Sequence, residues 1–163
     1  MILYVLRHGI AEDAPAGGDD GARKLTPRGR EKMKVAAAGL KRLRIHFDAI
    51  LTSPLARALE TAEIVATGLG NSNTPQVLPA LATGVSPAEV LQAIKPFARN
   101  EHVLAVGHEP QLSALVSVML TGSPEAIHLD LKKGGMVAVE MGAKGTGKLR
   151  WMLSSRQLRR MRK

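Results

Sequence analysis

The strongest constraint on the fold sits at the start of the chain. Ile2, Leu3, Tyr4, Val5 and Leu6 form an unbroken run of strand-forming apolar residues that stops at Arg7-His8-Gly9. A short run with no polar alternation reads as a strand buried on both faces, the pattern of a central strand in a parallel sheet. In open α/β sheets, ligands bind beyond the carboxyl ends of the strands. A cation and an imidazole at such a tip are there for chemistry rather than packing. Arg7 presents a planar fork of donors suited to phosphate, and His8 a nitrogen nucleophile or base near neutral pH.

Two further stretches repeat the theme. Residues 49–51 (Ala-Ile-Leu) make a short strand followed by Ser53-Pro54, which reads as a helix cap and first turn. The helix stripe is Leu55, Ala58, Leu59, Ala62, Ala66 and Leu69, so Arg57 falls off the core face and is free to turn toward the strand tips. Residues 102–106 form another apolar strand, which ends in Gly107-His108-Glu109-Pro110, with a helix expected from Pro110. Thr26-Pro27 opens a helix whose stripe is Met33, Ala36, Ala37, Leu40 and Leu43, and Ser86-Pro87 opens another. Gln76 to Leu78 is a minor strand, and residues 137–141 and 149–153 pair as an antiparallel hairpin around a Gly-rich turn. The expected fold class is therefore α/β: a mainly parallel central sheet with helices on both faces and antiparallel strands at the C-terminal end. With 163 residues, residues 1–153 are expected to form one domain and residues 154–163 a basic tail. Residues 10–25, rich in Gly, Pro and Asp, are expected to be a mobile loop, either a lid over the strand tips or a plain connection.

Composition narrows the chemistry. There is no cysteine, which excludes disulfides, thiolate metal sites and cysteine nucleophiles. No apolar run approaches a membrane span, and no signal peptide precedes the first strand, so a cytoplasmic protein with no membrane partner is expected. The net charge of +9 is unevenly spread: residues 23–44 hold nine Lys or Arg against Glu31 alone, and residues 156–163 hold five more. Such runs are either solvated surface with a frayed terminus or a docking surface for an acidic partner. Aromatics are scarce (Tyr4, Phe47, Phe97, Trp151), which argues against nucleic acid.

Two guanidinium groups and two imidazoles meeting at one rim suit phosphoryl transfer. Arg7 and Arg57 can hold the non-bridging oxygens, one histidine can attack phosphorus, and the other can donate to the charge that builds. The side chains supply the positive charge, so neither a metal nor another cofactor is required. His46, His102 and His128 have no such company and read as structural.

Leu6-Arg7-His8-Gly9, Ser53-Pro54-Leu55-Ala56-Arg57-Ala58 with Thr61, and Gly107-His108-Glu109-Pro110 together resemble the histidine phosphatase superfamily, with its phosphoglycerate mutase-like fold. The short chain and the stretch Arg23-Lys24-Leu25-Thr26-Pro27-Arg28-Gly29 resemble its SixA branch of small phosphohistidine phosphatases. The resemblance implies His8 as the phosphate-accepting nucleophile, Arg7 and Arg57 as phosphate ligands, His108 as stabiliser of the transferring group, and Arg23 as a residue that can approach the phosphate. It also implies a phosphorylated protein or another phosphate-containing substrate.

The leaving group sets the substrate class. An alkoxide needs a general acid, whereas imidazole, with a conjugate-acid pKa near 6.5, departs readily. Residues 79–84, where ester-cleaving branches carry an acid, hold no carboxylate here. This favours a phosphohistidine substrate and a role in signal transduction. The same-class alternative is a small-molecule phosphomonoesterase using Glu109, or Glu12, Asp13, Asp19 or Asp20 of the loop, as acid; Glu109 could equally cap the helix after it. The alternative of another class is a polyanion-binding module built on the basic stretches.

Overall fold

The computed structural model describes residues 1–14, 16–142 and 146–162. One six-stranded sheet runs through the molecule in the order β3-β2-β4-β1-β5-β6. Its strands are β1 (Ile2–Arg7), β2 (Ala49–Thr52), β3 (Gln76–Val77), β4 (His102–Gly107), β5 (Met136–Glu140) and β6 (Lys148–Leu153). The helices are α1 (Pro27–Arg42), α2 (Ala56–Leu69), α3 (Pro87–Ile94), α4 (Gln111–Thr121) and α5 (Ser155–Arg160). The first four strands run parallel, and β5 and β6 are antiparallel. This is the α/β class expected from the sequence. The Gly-rich turn between β5 and β6 lies largely outside the described residues.

β1 occupies the centre because nothing in it tolerates water. It pairs with β4 on one side and β5 on the other, and Leu3 to Leu6 are fully or almost fully buried. Alternation along the strand divides the core. Tyr4 and Leu6 join Leu104, Val106 and the apolar stripes of α1 and α2 on one face. Leu3 and Val5 join Val103, Ala105 and the stripes of α3 and α4 on the other. Truncating one such leucine to alanine costs about 2–5 kcal/mol, so the strand's depth is well enforced.

The helix starts mostly follow the expected chemistry. Thr26 accepts from Gly29 N–H with Pro27 in the first turn, and Ser86 forms a reciprocal capping box with Glu89. Ser53-Pro54 is the exception. α2 starts at Ala56 with Leu55 as its cap residue, because the Ser53 hydroxyl is engaged elsewhere. α4 likewise starts one residue later than expected, with Pro110 as cap residue.

Two other expectations are corrected. Residues 154–162 of the expected tail are not free: Ser154 and Gln157 form a capping box, and α5 packs on α1 through Leu158, which is fully buried, while Lys163 lies outside the described residues. Gly39 of α1 permits this approach, since any side chain there would run into the Leu158 carbonyl. The 10–25 loop is also more tied down than its composition suggests. Ala11 bridges to Leu25, both are buried, and a 3₁₀ turn at Asp20–Ala22 sits against α2. Among the described residues, no helix is long and apolar enough to cross a membrane.

Candidate active site

The tip of β1 is clamped on both sides. His8 N–H donates to Gly107 O at the end of β4, and Arg7 N–H donates to Gly135 O. Gly134 returns the favour, its N–H lying 3.0 Å from Arg7 O and 3.1 Å from His8 O. Its φ of 74° is in the left-handed region, where glycine carries no steric penalty. Gly9 N–H donates to Thr61 Oγ1, and Thr61 in turn donates to Arg57 O. One threonine thereby ties the end of the His8 strand to the helix that carries Arg57.

His8 and His108 face one another with ring centroids 5.0 Å apart, and both are buried. Burial, joined by the charges of His108, Arg57 and Arg7, pushes the His8 imidazole down to about 3 against an opposing hydrogen bond to Gly9. Burial and then Arg57 push His108 down to about 4, with Asp20 opposing. Both rings are therefore neutral at pH 7. His8 Nδ1 lies 2.7 Å from Gly9 O. A carbonyl can only accept, so Nδ1 holds the hydrogen and Nε2 keeps its lone pair. That is the tautomer a nucleophile needs.

His108 is set the other way round. Its Nε2 lies 2.8 Å from the Ser53 hydroxyl, and Ser53 Oγ accepts from Leu55 N–H. In the tautomer where the serine hydrogen donates to Nε2, Nδ1 of His108 is the N–H donor. Among the described residues Nδ1 has no partner, and neither do Arg7 Nε and Arg57 Nε, although all three are buried. Unpaired buried donors are costly and mark a place for an acceptor. Three such nitrogens, on residues whose charges act on the His8 imidazole, suit the binding of an anion near that ring.

Arg57 is buried, contrary to its place on the helical wheel: the surface it turns to is covered by the 19–23 segment rather than by solvent. Its Nη1 donates to Asp20 O at 2.8 Å and its Nη2 to Asp20 Oδ2 at 3.0 Å. The other carboxylate oxygen, Oδ1, is 2.8 Å from Arg23 Nε and 2.6 Å from Arg23 Nη2. Arg23 thus joins the rim through Asp20 and the Glu12 carbonyl, and its charge is felt at His108. Asp20 is ill suited as a general acid, since Arg23 and Arg57 hold its carboxyl below the usual range.

Glu109 differs. Burial raises its carboxyl above the ordinary range against the pull of Ser113 and Arg7, and its Oε1 has no partner among the described residues. Its Ser113 neighbour lies in the first turn of α4, so cap and acid both keep a footing. The 79–84 stretch is tied to α4 by Gln111, whose side-chain nitrogen donates to the carbonyls of Ala80, Ala82 and Val85. Among the described residues, no three His, Asp or Glu side chains come together as a metal site. His102, read as structural, meets the Tyr4 hydroxyl at 2.9 Å at the far end of the sheet.

Sequence reasoning missed two residues. Ser53 was visible as a cap candidate and as part of the second motif but not as a partner of His108, and Asp20 only as one of four loop acids. Both act through contacts to residues more than thirty positions away, which no local spacing encodes.

Residues 3–82 match the family model of the histidine phosphatase superfamily (branch 1). An uncharacterised protein of Picosynechococcus sp. is 40% identical over 146 residues, which is 88% of this chain and 87% of that protein. The phosphohistidine phosphatase SixA of Escherichia coli is 27% identical over 157 residues, covering 94% of each chain. The solved structure of the protein histidine phosphatase SixA complexed with tungstate superposes with a TM-score of 0.84 at 26% identity, covering 97% of this chain and 99% of that one.

Proposed function

Because this chain belongs to the histidine phosphatase superfamily, we propose that it is a phosphatase of protein phosphohistidine, working through a phospho-His8 intermediate. The observation that carries this reading is the free Nε2 of His8 set beside three buried, unpartnered N–H donors, Arg7 Nε, Arg57 Nε and His108 Nδ1. The phosphoryl oxygens take those donors while Nε2 attacks phosphorus. The His8 N–P bond forms as the bond to the leaving nitrogen breaks, and the leaving imidazole keeps the electron pair and picks up a proton. Water then attacks the phosphoryl group on His8, releasing inorganic phosphate and restoring the imidazole.

Phosphohistidine is favoured over an ester because its leaving group asks little of the protein. The 79–84 segment, held in place by Gln111, carries no carboxylate. The SixA name of the E. coli relative points the same way. A second reading, a small-molecule phosphomonoesterase, rests on the raised carboxyl of Glu109.

The test compares kcat/KM for a phosphohistidyl peptide and for a sugar phosphate, before and after Glu109→Gln. The expected result is preference for the peptide, with the variant retaining most of that activity. Sugar-phosphate turnover that is faster than the peptide's and collapses in Glu109→Gln selects the second reading.

A further inference from the structure

Next to the β1 tip, an open cleft of about 390 Å³ is lined by Arg7, Gly9, Lys32, Lys132, Lys133 and Arg159, among others. A second cleft of about 630 Å³ adjoins it through Arg159 and is walled by Arg156, Arg160 and Arg162 with Val35. Neither lining contains an Asp or Glu. Among the described residues, only Lys132 of these cations has a carboxylate partner, Asp130 at 2.8 Å. Arg159 spends one nitrogen on the Ser155 hydroxyl.

This crowding is built rather than incidental. α5 is capped at Ser154, anchored by the buried Leu158, and seated on α1 where Gly39 lets the backbones meet. Its arginines are therefore held against the cations of α1 instead of dispersing in solvent. The strain shows at Lys32, whose ammonium is pushed down by partial desolvation and by Arg28 and Arg159. Like charges held together without counter-charge raise the local potential and attract anions.

We propose that the two clefts form a docking surface for an acidic face of the phosphoprotein substrate, placed so that carboxylates flanking the phosphohistidine lie on Lys32, Lys133 and the α5 arginines. This rests on the phosphohistidine reading above. Arg7 and Gly9 line the first cleft and flank His8 in sequence, so an acid two to four residues from the phosphohistidine reaches it at about 3.3–3.6 Å per residue. One phosphate on a small substrate would occupy only a small part of one cleft, whereas two clefts that share Arg159 suit a series of carboxylates. No aromatic ring lines either cleft, so stacked bases gain nothing there.

The experiment uses fluorescein-labelled histidine peptides flanked by either glutamates or glutamines, unphosphorylated for anisotropy and phosphorylated for turnover, with free phosphohistidine as a control substrate. The protein is compared with the triple variants K32Q/K133Q/R159Q and K32R/K133R/R159K, whose folding is checked by denaturant midpoint. The glutamate peptide should bind about tenfold more tightly than the glutamine peptide at low salt, and lose that advantage at high salt. The neutral variant should lose the preference, the charge-conserving variant should keep it, and both should turn over free phosphohistidine like the parent. Equal binding of the two peptides overturns the proposal. So does loss of the preference in both variants, which would make packing the cause. An oligodeoxynucleotide or a small bisphosphate sugar that binds as tightly as the glutamate peptide also overturns it. If no phosphohistidine is turned over, the function assigned above fails, while anisotropy of the unphosphorylated peptides still decides the docking surface.

Discussion

Asp20 holds Arg57 with both its backbone and its side chain: the Asp20 carbonyl accepts from Nη1 at 2.8 Å and Oδ2 from Nη2 at 3.0 Å. The guanidinium is buried and the carboxylate is exposed, so an exposed acid neutralises a buried arginine whose charge acts on His8. In the proposed reaction an incoming phosphoryl group would compete with that carboxylate for Arg57, and for Arg23 as well.

Asp20→Asn should therefore tighten inhibition by inorganic phosphate, by roughly three- to tenfold, since a charge-assisted competitor is replaced by a neutral one. The competitive inhibition constant measures this. Weaker inhibition in the variant would mean that Asp20 serves to aim Arg57 rather than to compete with the ligand.

His8→Ala should lower turnover of a phosphohistidyl peptide by about three orders of magnitude or more, as loss of a covalent nucleophile does elsewhere. Rapid quenching of the parent should trap an acid-labile phosphoryl adduct, which is missing from the variant. An adduct that persists in His8→Ala would move the nucleophile to another residue.

Ser53→Ala should cut kcat about tenfold and leave KM little changed, because one hydrogen bond that sets the His108 tautomer is lost while the arginine donors remain. The acid limb of the pH profile should move in the same variant. If kcat is unaffected, Nε2 of His108 does not depend on Ser53.

The two imidazoles also set an acid limit on stability. Their folded pKa values, about 3 for His8 and about 4 for His108, lie below the ordinary value of 6.5. Below 6.5 the unfolded chain binds protons that the folded one refuses, so their contribution is present in full above 6.5 and declines as pH falls toward 4 and then 3. The melting temperature should drop over that range. The drop should be shallower in a His8→Gln, His108→Gln double variant, and an unchanged slope there would assign acid sensitivity to other groups.

Leu158→Ala should destabilise the protein by about 2–5 kcal/mol, the usual range for truncating a fully buried leucine. Urea denaturation reads this directly. A change within about 0.5 kcal/mol would mean that α5 is not part of the cooperative core.

The candidate site was legible because Arg7, His8 and His108 lie at or just past the ends of strong apolar strands, where a polar residue has no packing role, and Arg57 lies in the first turn of the helix after one. The parallel sheet with helices on both faces followed from the same runs, whereas the strand order β3-β2-β4-β1-β5-β6 did not. Ser53 was harder to place, since Ser-Pro before a helix is a legitimate start signal and its long-range use by His108 leaves no local trace. Arg57 was expected off the core face and turned toward the strand tips, but a helical wheel knows only one helix and could not show that Asp20 of the preceding loop would cover it. α5 looked like a tail for a related reason. Five of its flanking and internal residues are cations, and the single Leu158 that anchors it needs Gly39, more than a hundred positions earlier, to make room.

The central place of β1 has a consequence for how the chain reaches its native state. Ile2 pairs with His102 on one side and Glu140 on the other, so β1, made before the strands it pairs with, has no partner in this sheet until some hundred further residues exist. Contacts of such sequence separation slow folding, and an apolar strand left waiting is open to wrong pairing. The parallel pairs to β4 must close long loops before any sheet hydrogen bond rewards them. His8 is thus made well before its neighbours and cannot be seated between them until about residue 140 has been made, and a chain stalled before that point would carry His8 without the strand that completes its surroundings.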